Sequence, residues 1–221
     1  MNALSFEELS RSLDAHFGVA IASTLGTVES FGGWASGVAW STVKVPLAVA
    51  ALRAGVGGPV AEAIVHSDNP AAEELWSRLG GNAAELVQNV IREAGDSVTV
   101  VESRRLRAEY TPFGQTRWAL ADQARFAAGL AQIADAAPVV ELMGNVCAEH
   151  NWGMAAKGYA AKGGWGPGLT GEYLVRQFAI VPQNSGIVGV ALAAETRSGY
   201  EAGIDVVNAL ADWVFARLTQ Q

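Results

Sequence analysis

The sequence predicts an α+β fold: an antiparallel sheet with flanking N- and C-terminal helices and an inserted all-helical lobe. Three observations predict it. The first forty residues pair one helical stretch with short apolar strands, and residues 41–150 are alanine-rich with helical spacing. After Trp152 the strand pattern returns, and one amphipathic helix closes the chain. Residues 1–40 and 151–221 then form a sheet lobe and residues 41–150 a helical lobe. The two make one intimate unit with a cleft between them.

Taken in order, Phe6 to Phe17 has helical periodicity with early acidic residues and stops at Gly18. Val19-Ala20-Ile21-Ala22 reads as a short buried strand, followed by a turn at Leu25-Gly26. Val28 to Trp40, rich in glycine and tryptophan, reads as a second strand leading into Ser41. Helices are expected over 41–54, 59–66, 70–79, 82–94, 116–134 and 138–149, with Gly80-Gly81 and Gly95-Asp96 as stops. Strands follow at Gly158 to Lys162, Tyr173 to Val181 and Ile187 to Glu195. The last helix, Tyr200 to Leu218, sets Ile204, Val207, Leu210, Ala211 and Val214 on one face. There is no internal repeat, low-complexity linker or long charge run.

Composition narrows the function. The 221 residues are 50% hydrophobic, enough to bury a large core. A net charge of −7 argues against a nucleic-acid groove. The single cysteine, Cys147, excludes an internal disulfide and a Cys-rich metal site, and its apolar neighbours Val146 and Ala148 mark it as a small core side chain. No run reaches the length of a membrane span. The N-terminus lacks the basic start and apolar run of a signal peptide. The expected location is therefore the cytoplasm as the sequence stands, or outside it if a leader has been removed.

Chemistry concentrates in three short motifs. Ser41-Thr42-Val43-Lys44 opens a predicted helix, where residues three apart share a face and the helix end carries positive potential. A lysine whose pKa is lowered there can take a serine's proton, activating a nucleophile without histidine. The motif stands out because the chain has three lysines in all, Lys44, Lys157 and Lys162. Ser67-Asp68-Asn69 precedes Pro70 and a helical run, which by itself reads as a helix cap. Lys162-Gly163-Gly164-Trp165-Gly166 follows a short strand and by itself reads as a glycine-rich turn. The histidines offer no rival site: His16 falls on the first helix, His66 flanks Ser67, and His150 closes a helix. Neither G-x-S-x-G nor H-E-x-x-H occurs. Most of the seven tryptophans read as core, and Trp165 is the one expected at the cleft.

The order S-x-x-K, S-D-N, K-x-G resembles the signature of the serine β-lactamase and penicillin-binding protein superfamily. The resemblance is greatest to class A β-lactamases. It extends through Ala61 to Val100, including His66-Ser67-Asp68-Asn69-Pro70-Ala71-Ala72, Leu79-Gly80-Gly81 and Ala94-Gly95-Asp96, and through Phe6 to Lys44 and Tyr159 to Ala193. It implies that Ser41 is the acylated nucleophile, Lys44 its base, and Ser67 a proton relay to the leaving group. Asn69 would hold the substrate amide, and Lys162 would face the substrate carboxylate and help keep Lys44 neutral. Gly163, Gly164 and Trp165 would line the substrate along the strand. The N–H groups of Ser41 and Trp165 would form an oxyanion hole, and Asp68 would be structural. No metal or cofactor is implied.

Two departures from that pattern bear on activity. Gly163 stands where the family usually has a hydroxyl that binds the substrate carboxylate. Arg105 stands where class A enzymes carry the glutamate that activates the deacylating water, in a loop shortened before Thr116. Glu102 and Glu109 are nearby but off register. The resemblance thus implies a serine hydrolase that forms an acyl-enzyme with β-lactams or D-alanyl peptides and deacylates slowly. The partner expected is a small-molecule or peptide substrate, the chain acting as a monomer with no nucleic acid. The alternatives are a D,D-peptidase or esterase, and a non-catalytic binding relative of the same fold.

Overall fold

The computed structural model describes residues 5–219; the first four residues of the expected 1–40 segment lie outside that range. The chain starts with α1 (Phe6–Ser12), capped by Ser5 and Glu8 in a reciprocal box. It continues through β1 (His16–Ser23), β2 (Val28–Gly32) and β3 (Ser36–Val38) to a 3₁₀ turn at Trp40–Val43. Helices α2 (Lys44–Arg53), α3 (Val60–Val65), α4 (Asn69–Leu79) and α5 (Ala83–Glu93) follow. After a long loop come β4 (Arg117–Ala119), α6 (Leu120–Leu130) and α7 (Ala137–Met143). The chain closes with β5 (Ala160–Pro167), β6 (Tyr173–Gln183), β7 (Gly186–Thr196) and α8 (Gly199–Thr219).

The main sheet has the order β2-β1-β7-β6-β5 with every pair antiparallel, so β5 is an edge strand. A two-stranded ribbon pairs β3 with β4. The period of two along β7 builds two cores. Val190, Leu192 and Ala194 join Val207, Leu210, Ala211 and Val214 of α8 on one face. Ala191 and Ala193 face the opposite way, toward α6 and the other helices. Small residues predominate there because α6 lies almost in backbone contact with the sheet. A Cβ on Gly189 would stand 2.0 Å from the carbonyl oxygen of Ala124. No single helix is long and apolar enough to cross a membrane.

The fold class stands as expected, and several boundaries move. The first helix ends at Ser12, and His16 begins β1 because its segment pairs with β7 from His16↔Glu195 onward. The expected strand from Val28 to Trp40 breaks at Gly32, whose φ of 82° turns the chain out of the sheet, and resumes as β3. The helix expected from residue 41 starts at Lys44, after the 3₁₀ turn. The helix expected over 116–134 gives its first residues to β4, because Arg117, Trp118 and Ala119 pair with β3. The helix expected over 138–149 ends at Met143, and His150 closes a separate 3₁₀ turn, Ala148–His150. Lys162 to Gly166 is strand throughout rather than a turn, held by pairing with β6.

The Gly189 contact is directly testable. Gly189→Ala is expected to destabilise the protein by at least about 2 kcal/mol, the cost typical of overpacking against an immovable backbone. A urea denaturation midpoint unchanged within error would show that α6 can move away.

Candidate active site

The turn that carries Ser41 is fixed from below. Thr42 donates through Oγ1 to the Ala39 carbonyl at 2.6 Å and accepts from Gln123 Nε2 at 2.9 Å. Gln123 Oε1 in turn accepts from Arg176 Nη2 at 2.8 Å. Arg176 is fully buried on β6, and it also donates to the carbonyls of Gly37, Val38 and Trp118, tying the β3–β4 ribbon to the main sheet. None of Thr42, Gln123 and Arg176 carries a motif signal. Trp40, immediately before Ser41, is held at a φ of 51°, a left-handed conformation costly for a bulky side chain. Ser67 is held the same way at 54°.

Ser41, Lys44, Ser67, Asn69 and Trp165 line one cavity of about 300 Å³, together with Glu73, Glu109 and Tyr110. Lys162 reaches it through Ser67. Its Nζ donates to Ser67 Oγ at 2.7 Å and to the Gly163 carbonyl at 3.2 Å. Lys44 Nζ donates to Asn69 Oδ1 at 2.7 Å and to the Ser67 carbonyl. Among the described residues Ser41 Oγ makes no hydrogen bond, so the expected direct Ser41–Lys44 contact is absent in this resting geometry. Asp68 caps α4 by accepting from the Ala71 N–H at 2.7 Å, as its structural reading required.

Both lysines are buried, and among the described residues neither forms an ion pair with a carboxylate. Burial pushes the Lys44 ammonium down from 10.5 to about 7, against a weaker opposing pull from Asp68. Burial and then the charge of Lys44 push Lys162 well below its ordinary value. Near neutral pH the site therefore holds an amine able to accept a proton. The Lys162 bond leaves Ser67 Oγ accepting, which frees the hydroxyl proton of Ser67 for another partner.

Strand β5 runs hard against the turn. A Cβ on Gly164 would lie 2.8 Å from the Ala39 carbonyl oxygen and 2.9 Å from the Ser41 nitrogen. Gly163 does not leave an open notch: Trp152 fills it, at 2.6 Å from where a Cβ would be. Gly163 and Gly164 thus shape the strand and its backing, while Trp165 faces the cavity. Trp165 also stacks near His150, 5.0 Å between ring centroids, and His150 Nδ1 lies 3.2 Å from Cys147 Sγ. Behind Trp40 lies a second, larger cavity of about 700 Å³, lined by Arg107 and by Gly166 to Thr170. Among the described residues no three His, Cys, Asp or Glu side chains group as a metal site.

The loop before β4 is stapled over the cavity. Gln115 Nε2 donates to the carbonyls of Arg107, Tyr110 and Thr111, and Asp96 accepts from Trp118 Nε1 at 2.8 Å. Arg105 donates to the Ala108 and Tyr110 carbonyls and to Glu73 Oε1 at 3.3 Å. Glu102 is held by Arg104 and does not line the cavity, whereas Glu109 does.

The lysine shift has a stability consequence. The folded state binds fewer protons than the unfolded state between about pH 7 and 10.5, so this group's contribution makes stability rise with pH across that window. Wild type should gain stability relative to Lys44→Met as pH is raised from 7 to 9.5, read by urea unfolding at each pH. Parallel curves for the two proteins would place an ordinary, charged lysine at position 44.

No protein-family description and no curated protein sequence matches the chain. Solved structures do. A class A β-lactamase representative from Bacteroides cellulosilyticus superposes with a TM-score of 0.78 at 13% identity, covering 98% of this chain and 96% of that one. A β-lactamase from Chitinophaga pinensis gives 0.76 at 15% identity over 96% and 97% of the two chains. One from Sphaerobacter thermophilus gives 0.73 at 17% identity over 99% of each. With a five-stranded antiparallel sheet and helices on both faces, the chain has the serine β-lactamase fold.

Proposed function

We propose that the protein is a serine hydrolase that forms an acyl-enzyme with β-lactams or D-alanyl peptides and releases the acyl group slowly. The observation that carries this reading is the shared ligation of Ser67 by Lys44 and Lys162 in the cavity that Ser41 lines. Packing alone gives no reason to bury two amines around one serine.

The chemistry follows from those groups. Ser41 Oγ attacks the carbonyl carbon while neutral Lys44 takes its proton. The developing oxyanion is met by backbone N–H groups, those of Ser41 and Trp165. Ser67 gives its proton to the departing nitrogen as the C–N bond breaks, and it is recharged from Lys44. The product is an ester on Ser41. Asn69 holds the substrate's amide, and Lys162 is the hydrogen-bond donor nearest its carboxylate.

Deacylation is slow in this reading because Arg105 stands where a carboxylate base is expected, and an arginine cannot accept a proton at neutral pH. General-base assistance is worth about 10²–10⁴-fold. Trp152 filling the notch at Gly163 weakens carboxylate recognition and favours a second reading, a ligand-binding relative that never acylates.

Two experiments separate these. Incubation with a fluorescent penicillin should label wild type, not label Ser41→Ala, and label Lys44→Ala at a strongly reduced rate. Equal labelling of wild type and Ser41→Ala would refute the nucleophile, and no labelling of wild type would favour the binding relative. Stopped-flow assays with a chromogenic cephalosporin should give a stoichiometric burst followed by near-zero turnover. The burst rate should rise with pH through about 7 as Lys44 loses its proton. Sustained turnover without a burst, or a rate flat across that range, would contradict the scheme.

A further inference from the structure

We infer that Glu73 is the general base for such deacylation as occurs, a carboxylate carried on helix α4 with Arg105 orienting it from the loop. The inference rests on the acyl-enzyme reading above and adds a residue to it. Glu73 gave no motif signal, since on sequence it is one charged residue on a helical run.

Its placement singles it out. Glu73 lies one helical turn beyond Asn69, so the two share a face of α4. Asn69 holds the Lys44 amine at 2.7 Å, and both Asn69 and Glu73 line the cavity with Ser41. The Arg105 guanidinium reaches Glu73 Oε1 at 3.3 Å while its other nitrogen is anchored on the Ala108 and Tyr110 carbonyls. A cation on the loop has thus met a carboxylate on the helix. The neighbouring Glu74 is taken by Arg78.

The other nearby carboxylates fit less well. Glu102 is engaged by Arg104 outside the cavity. Glu109 lines the cavity, but it belongs to the loop and has no side-chain hydrogen bond among the described residues. A base must be held to within a fraction of an ångström to work, and a helix surface does that better than a loop.

The step balances. A water in the cavity attacks the ester carbon and forms the new C–O bond while the Glu73 carboxylate takes its proton. The tetrahedral intermediate then collapses, the bond from carbon to Ser41 Oγ breaks, and the proton passes to that oxygen by way of Lys44. One water is consumed, the acid leaves, and Ser41 and Glu73 are restored. Arg105 is a positioning residue in this scheme, since it touches Glu73 and not the substrate.

The test is the lifetime of the penicillin adduct, followed by intact-protein mass spectrometry after excess drug is removed. Glu73→Gln should acylate at the wild-type rate and hold the adduct about 10²-fold longer. Glu73→Asp should recover part of the loss, and Glu102→Gln should leave the lifetime unchanged. Arg105→Ala should lengthen the lifetime without slowing acylation. Hydroxylamine, a nucleophile that needs no base, should clear the Glu73→Gln adduct nearly as fast as it clears the wild-type adduct. Equal lifetimes for wild type and a folded, acylating Glu73→Gln would overturn the role of Glu73 and leave the acyl-enzyme standing. Equal lengthening in Glu73→Gln and Glu102→Gln would also overturn it. Absence of any adduct in wild type would overturn both.

Discussion

The structure is built around one serine held by two buried amines, Lys44 on its carbonyl and Lys162 on its hydroxyl. Lys44 and Lys162 approach Ser67 from the helical and the strand side, and among the described residues neither has a carboxylate paired with it. Lowering Lys44 from 10.5 to about 7 costs the fold on the order of 5 kcal/mol relative to leaving it solvated. That is a large share of a typical domain's net stability, so the rest of the chain must offset it. The two closely packed cores on either face of the sheet do so. What the fold gains is an amine able to accept a proton beside Ser67 and Asn69, the group the proposed acylation assigns as base to Ser41.

Everything near the cavity serves to hold that arrangement. The buried chain from Arg176 through Gln123 to Thr42 fixes the turn before Lys44, and the left-handed residues Trp40 and Ser67 are tolerated because their surroundings determine them. Strand β5 can lie against Ser41 because Gly164 has no side chain to hold it away. The site is therefore strained and expensive at several points, as sites that need preorganised charges tend to be.

Much of this was legible in the sequence because chemistry and periodicity leave local marks. The three motifs named the cavity's serines, lysines and asparagine, and the near-continuous apolar runs of Tyr173 to Val181 and Ile187 to Glu195 marked the buried strands. Misread boundaries fell where two periods compete. Phe6 to Phe17 satisfies a helical pattern, yet pairing with β7 claims His16 and Phe17 for the sheet. β4 is three residues long and exists only because β3 lies beside it. Arg176, Gln123 and Glu73 were illegible for a different reason. Their roles depend on partners 53, 81 and 32 residues away, and no local pattern announces such contacts.

The protonation of Lys44 is the claim on which the whole account depends, and the small number of lysines makes it directly measurable. Labelling the lysine side chains with ¹³C at Cε gives three resonances, from Lys44, Lys157 and Lys162, assignable by substitution. Followed by NMR from pH 5 to pH 11, the Lys44 resonance should titrate near 7 and that of Lys162 well below its usual range. Three resonances all titrating above pH 10 would mean that both amines stay charged, and the proton-accepting role of Lys44 would fall.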